Sequence, residues 1–445
     1  MRVLVQLRSS ARARAALTRA QPAAALAGGI ERATAAFELD ATYEPVQIPA
    51  PRAAEEGGNR YDLAQPLGFS FQADAVTHVV RGSIPDGELP EAINTLTANP
   101  EVVGVFSDPV IESCICPQRA IGTYRNVANV LDVGWLHRKR MDGRNVLLAI
   151  VDTGINKAQL VARGQDPQFD RRKSWAPPHV PKSPGNYPVN HGTMCAFDAG
   201  ISAPKTTFLD YALLLTQAHG PTQMSGLLSD GVAAYGKLLR MIRNAPVARR
   251  RLVVSNSWGM FSPSWDFPVG SPGNYSDNPS HPFNVIVASL EAEGADILFA
   301  AGNCGRECPD SRCAFGANQR PICGANSHPK VLSIGGIDYR KRRIGYSSQG
   351  PGRLAAQKPD VCTCTAFTGS HVYPGGDSGT SAACPVAAGV VAAVRSKYSS
   401  ARISPAKLRA LVHKTAEDLG GAGYDYDYGW GALSPRPLAE ALAKA

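Results

Sequence analysis

Asn145-Val146-Leu147-Leu148-Ala149-Ile150-Val151-Asp152-Thr153-Gly154 contains a short, wholly apolar run closed by a carboxylate and a glycine. A run of this length, bounded by a turn signal, reads as a strand buried on both faces. Similar runs recur downstream at Phe208–Leu215, Leu252–Ser257, Ile297–Ala301 and Val331–Ile337. Amphipathic stretches at about 225–243 and 283–294 lie between them and predict helices. Continuous apolar strands alternating with helices specify an α/β fold, doubly wound, with a mostly parallel sheet and helices on both faces. In such sheets the ligand crevice lies outside the carboxyl ends of the strands.

Upstream the pattern differs. Val3–Leu7 reads as an opening strand, followed by an Ala-rich helical stretch and a Pro- and Gly-interrupted middle around 45–58. Thr77–Ser83 alternates as a strand. Pro85-Asp86-Gly87 then turns into a short helix over Leu89–Ala98, and Val102–Phe106 is a further strand. Strand, helix and strand in close succession make a small α+β module. The expected organisation is such a module over 1–111, a linker over 112–128 carrying Cys114, Cys116 and Pro117, and a body over 129–445.

The chain of 445 residues is 44% hydrophobic and 19% charged, a composition that excludes a coiled coil or a disordered acidic chain. Apolar runs break well before the ~18 residues of a membrane span, so no membrane association is expected. Arg8, Arg12, Arg14 and Arg19 interrupt the apolar segment an export signal would need. An organellar transit peptide is the alternative reading of that Arg- and Ala-rich opening.

The net charge of +9 is unevenly spread, with −4 over residues 1–120 and +13 over the remainder. The basic clusters Arg249-Arg250-Arg251 and Arg340-Lys341-Arg342-Arg343 are short and lack interleaved aromatics. They read as solvated surface, and no nucleic-acid partner is expected.

Three segments at element boundaries are candidates for chemistry, although taken alone Asp152 reads as a turn or cap residue and His191 as a capping or packing one. Asp152 ends the first strand. His191 opens Asn190-His191-Gly192-Thr193-Met194-Cys195-Ala196, a helix of small residues. In Gly379-Thr380-Ser381-Ala382-Ala383-Cys384-Pro385, Gly379 permits a tight approach, Ser381 stands where a helix begins, and Pro385 is expected in its first turn. A helix N-terminus offers free N–H groups and a positive field, which suit a nucleophile and a developing oxyanion.

Taken in this chain order, the Asp152, His191 and Ser381 segments resemble the motifs of subtilisin-like serine proteases, over about residues 140–440. The resemblance implies a serine endopeptidase acting through an acyl-enzyme on Ser381, with His191 as general base and Asp152 orienting it. It also implies Asn303, after Ile297–Gly302, as an oxyanion donor. Ser257, Trp258 and Gly259, with Ala301 and Gly302, are the implied substrate-binding residues, although Trp258 reads equally well as core. Further matches are Tyr346–Pro351, Lys358–Val361 and Tyr428–Gly431. The front module is similar to the inhibitory propeptides of these proteases, which makes it the expected partner of the cleft besides a protein or peptide substrate. A monomer is expected. The chemistry requires no cofactor and no metal. Relatives often bind structural calcium, but no local acidic run marks a site here.

Cys362 and Cys364 stand where the family usually has Ala-Pro-Gly, so a disulfide or an altered loop is expected to shape this approach to Ser381. Cys304, Cys308, Cys313 and Cys323 follow Asn303, and the first gap does not match the CxxC pairs of common zinc sites. One or two disulfides bracing an insertion beside the pocket are expected; free thiols and a metal are the alternatives. Disulfides point to an oxidising compartment while the opening lacks an export signal's pattern, so the compartment stays open. Alternatives to hydrolysis are a peptide-maturation or cyclising protease of the same fold and an inactive peptide-binding homologue.

Overall fold

In the computed structural model Leu148 and Ile150 pack into one hydrophobic cluster while Ala149 and Val151, alternating with them, pack into a second. Residues 1–9, 22–27, 34–49, 76–114, 118–216, 224–314 and 320–445 are described. Most of the Ala-rich stretch, much of the 45–58 middle, Cys116 and Pro117 lie outside them.

The first sheet comprises β1 (Arg2–Arg8), β2 (Glu38–Leu39), β3 (Val46–Ile48), β4 (Thr77–Ser83) and β5 (Val102–Ser107). Their order is β2-β4-β1-β5, with β3 also on β4, and every pairing is antiparallel. The helix Leu89–Ala98 buries Ala92 and Leu96 against Val3, Val5, Val80 and Val105 on one side of this sheet. Leu4, Val46, Ile48 and Val79 instead join the cluster that includes Val232, Leu238 and Ile286, which docks the sheet on the body.

Next come β6 (Val110–Ser113) and β7 (Gly122–Thr123), and then a helix over Tyr124–Val130 whose start is fixed by reciprocal Thr123 and Asn126 hydrogen bonds. Of the described residues in 112–128, 112–113 and 122–128 are regular structure, held by the body: β7 pairs with residues 367–368, and β6 lies between two body strands.

The body adds β8 (Leu147–Val151), β9 (Gln168–Phe169), β10 (Thr207–Tyr211), β11 (Ser225–Leu227), β12 (Leu252–Asn256), β13 (Trp258–Gly259), β14 (Ala295–Ala300), β15 (Leu332–Ile337), β16 (Val361–Cys364) and β17 (Phe367–Thr368). Seven of these form the central sheet, ordered β16-β15-β14-β12-β8-β10-β9 and parallel throughout. The fold is α/β. Residues of the helices His191–Gly200 and Thr380–Arg395 share one cluster with Leu148, Val253 and Leu298. Those of Leu228–Arg243 and Pro282–Ala292 share the other with Val254 and Ile297. After β8 the chain first fills one side of it with β9 and β10 and then crosses to β12, β14, β15 and β16 on the other, so the sheet's switch point lies between β8 and β12, at their carboxyl ends.

Residues 225–227 depart from the expected helix. They form β11, which together with β13 flanks β6 in a three-stranded antiparallel sheet. Among the described residues no helix is long and apolar enough to cross a membrane.

Candidate active site

Asp152 leaves β8 with its backbone N–H bonded to the Tyr211 carbonyl at 2.8 Å. Its carboxylate lies 2.8 and 3.0 Å from His191 Nδ1, and Thr153 N–H donates to it at 2.8 Å. An Nδ1–H donating to a carboxylate leaves Nε2 as the ring's acceptor, and Nε2 has no hydrogen-bond partner although it is buried. Two cross-bonds lock the turn after β8 to the His191 helix: Gly192 N–H to Thr153 Oγ1 at 2.8 Å and Asn156 N–H to Thr193 Oγ1 at 3.0 Å. Gly192 is required for the contact, since a Cβ there would stand 2.5 Å from the Gly154 carbonyl oxygen.

Ser381 is the second residue of its helix, after Gly379, whose φ of +78° favours glycine. Its hydroxyl donates to the Ser257 carbonyl at 3.1 Å rather than to His191. Pro385 falls in the second turn, not the first. The carbonyl it strands, that of Ser381, accepts instead from the Ser257 hydroxyl at 3.0 Å and the Cys195 thiol at 3.6 Å.

Asn303 follows β14 across Ala301 and Gly302. Its side-chain oxygen accepts from Thr380 N–H at 2.9 Å and the Thr380 hydroxyl at 3.0 Å, so its NH₂ must face the other way. That NH₂ donates to the backbone carbonyl of Cys114. Ser381 N–H donates to the same oxygen at 3.4 Å, and Cys114 N–H donates to the Ser257 carbonyl at 2.9 Å. Behind Cys114, β6 pairs on one side with β11 (Ile111 opposite Gly226) and on the other with β13 (Ser113 opposite Trp258). Covered by this segment, Ser381, His191 and Asn303 are fully buried.

The candidate residues thus lie together at one rim of the sheet, joined there by the Cys114 carbonyl, β11 and Cys195. Ser257 to Gly259 meet Cys114 and β6 through their backbone, while the Trp258 side chain is core, packed on Phe283 and Phe299. The carbonyl of Cys114 and the strand β11 carried no sequence signal, because pairing to an edge is a property of backbone and register. Cys195, one helical turn from His191, carries no sequence signal for a place at the site. Its sulfur lies 3.6 Å from Asp152 Oδ2 and 3.8 Å from His191 Nδ1. Ligand atoms of Asp152, His191 and Cys195 lie within 4.8 Å of one another, the arrangement among the described residues that could hold a metal. Burial, with the Asp152 charge adding to it, pushes the Cys195 thiol well up and disfavours the thiolate that a metal would need.

Of the cysteines after Asn303, Cys304 and Cys313 form a disulfide; Cys308 is an exposed thiol and Cys323 a buried one. Cys362 and Cys364 are buried thiols on β16, not a disulfide beside Ser381.

A parallel α/β sheet whose switch point gathers a carboxylate–imidazole pair, a serine at a helix N-terminus and an asparagine amide defines the class of protein. The model of the subtilase family matches residues 143–431, and the chain belongs to that family. It is 24% identical to the membrane-bound transcription factor site-1 protease of Homo sapiens over 326 residues, 69% of this chain and 26% of that protein. It is 24% identical to a subtilisin of Bacillus pumilus over 314 residues, 68% of this chain and 94% of that one. With fervidolysin of Fervidobacterium pennivorans it shares 26% identity, over 65% of this chain and 40% of that protein. The chain spans about a quarter of the length of the site-1 protease it matches.

Proposed function

We propose that this protein is a serine endopeptidase and that its own residues 110–114 lie in the cleft as a substrate does. The observation that carries this reading is the Cys114 carbonyl oxygen, which receives both the Asn303 amide and the Ser381 N–H. Two converging donors are what a tetrahedral oxyanion requires.

The steps follow from these atoms. The Ser381 hydroxyl turns from the Ser257 carbonyl toward His191 Nε2, which takes its proton as the oxygen attacks the acyl carbon. Asp152 holds the Nδ1 proton in place and stabilises the imidazolium. The tetrahedral intermediate collapses by expelling the amine, protonated by His191, and leaves an ester on Ser381. Water, deprotonated by the same imidazole, then hydrolyses the ester. These steps use side chains, backbone and water alone.

In the same reading residues 1–111 act as an intramolecular inhibitor, 112–128 hold the processing point and 129–445 are the catalytic domain. The carbonyl in the oxyanion site belongs to the Cys114–Ile115 bond, which makes that bond the one the enzyme cuts in its own chain. A protein or extended peptide would then replace β6 as the middle strand between β11 and β13, by strand addition. A monomer suffices, since every residue invoked comes from one chain.

The test is active-site labelling. A fluorophosphonate is expected to label the processed wild-type protein at Ser381 and to leave Ser381→Ala unlabelled. Peptide binding that survives in a wild-type protein that neither labels nor hydrolyses would instead establish an inactive peptide-binding homologue.

A further inference from the structure

Arg312 stands on the loop closed by the Cys304–Cys313 disulfide, just beyond Asn303. Its Nη1 lies 2.8 Å from Glu112 Oε2, and its Nη2 donates to the Ser113 carbonyl at 3.1 Å. Glu112 and Ser113 belong to the segment in the cleft, so a single guanidinium grips one side chain and one backbone carbonyl of that segment. The guanidinium is held independently of it. Asp310 accepts from Nε and Nη2 at 2.9 and 2.8 Å, and the guanidinium carbon stacks 3.8 Å above the Phe261 ring. Asp310 is in turn fixed by its N–H on the Asn303 carbonyl at 2.9 Å, which ties the loop to the oxyanion side of the site.

We propose that Arg312 is a specificity-determining residue that selects peptides with a carboxylate side chain at the third residue before the cleaved bond. This rests on the reading of residues 110–114 as a substrate mimic. Counting Cys114 as the first residue before the bond, Ser113 is the second, Glu112 the third and Ile111 the fourth. Ile111 is fully buried, whereas Glu112 and Arg312 are each about a quarter exposed. The fourth position thus asks only for an apolar side chain, and the third faces a fork whose Nη1 group is free of Asp310 for an incoming oxygen. A charge-assisted hydrogen bond to a pre-oriented guanidinium loses little entropy on binding. Partial exposure keeps the discrimination moderate. A lysine at the third position would meet the guanidinium as a like charge, whereas a glutamine would keep a weaker, neutral acceptor.

The test compares kcat/KM on peptides spanning residues 109–119, carrying Glu, Gln or Lys at the position of Glu112. Wild type is expected to prefer Glu over Gln by ~3–10-fold and over Lys by ~10-fold or more, with the preference shrinking as salt is raised. Arg312→Gln is expected to bring the Glu-to-Lys ratio close to one, and Arg312→Glu to invert it. Because the readout is a ratio within one protein, partial loss of folding does not mimic the effect. Equal rates on the three peptides with active wild type overturn the selectivity while leaving the peptidase reading intact. No hydrolysis of any peptide overturns both.

Discussion

His191 and Asn303 are each oriented by a bond made on the side away from the reacting carbonyl. The Asp152 carboxylate takes the Nδ1 side of the imidazole, and Thr380 takes the oxygen side of the amide. Both orienting bonds are made by the body's own residues and not by the segment in the cleft, which is the sense in which the site is pre-organised. Asn303→Ala removes one oxyanion donor and leaves the Asp152–His191 pair untouched. Turnover on a peptide is expected to fall ~10²–10³-fold with KM changing little; an unchanged kcat would remove Asn303 from the mechanism. The four side chains of the candidate site stand at boundaries that the pattern marks, Asp152 after an apolar strand, His191 and Ser381 at helix starts and Asn303 after Gly302, but position alone leaves them ordinary turn, cap or packing residues; the roles proposed for them come from the resemblance of the motifs, taken in chain order, to subtilisin-like proteases. Arg312 was not legible. Nothing in Ser311-Arg312-Cys313 says that a disulfide-closed loop returns it to the cleft. Cys195 was hidden for another reason, since a thiol in a helix of small residues reads as packing.

At the level of elements, the rim is held by buried polar groups between strands. Asp210 lies on β10 opposite Ile150 of β8, and its Oδ2 accepts from Ile155 N–H at 3.1 Å and Gly185 N–H at 2.9 Å, tying down the turn that follows Asp152. Burial pushes the Asp210 carboxyl from 3.8 up to about 7, despite those two hydrogen bonds. Between pH about 4 and about 7 the folded state thus keeps a proton that the unfolded chain has released. Its contribution is complete below pH about 4 and is lost as the pH rises through about 7. Asp210→Asn keeps an acceptor for both N–H groups and removes the titration. Denaturant unfolding across this range should show the variant gaining stability relative to wild type as pH rises; parallel curves would contradict the assignment. The strands and helices of the body were readable from their apolar periods, and the sheet class followed. The start of the helix at Leu228 was not, because Ser225–Leu227 are drawn into a strand by β6, a partner more than a hundred residues away. Pro385 was misplaced for a similar reason, since the carbonyl it strands is satisfied by Ser257 and Cys195 from other elements.

Across the whole molecule, Arg81 ties the front sheet to the body beside the apolar contacts of Leu4, Val46, Ile48 and Val79. Its guanidinium reaches Asp230 at 3.1 Å, at the start of the helix Leu228–Arg243, as well as Asp40 at 2.7 Å and the Ser229 hydroxyl at 3.0 Å. Nearby, Asp108 accepts from Ser229 N–H at 2.7 Å, and the Tyr43 hydroxyl donates to the Ser229 carbonyl at 2.9 Å. Arg81→Met leaves Asp108 and Asp230 buried without their cation. Docking should weaken by about 3–5 kcal/mol, read as faster hydrogen exchange in β1 and β4; protection equal to wild type would mean that apolar contact alone carries the interface. The opposite net charges of the two parts were visible in the sequence, but the seat of the attachment was not. Docking places β6 across the cleft and brings the Cys114 carbonyl to Asn303 and Ser381. N-terminal sequencing of the purified chain with intact mass tests most directly whether this carbonyl is poised for attack. Wild type should yield a new terminus at Ile115 while Ser381→Ala stays whole. A wild-type chain left uncut, or cut elsewhere, or a Ser381→Ala chain cut at the same bond, would contradict it.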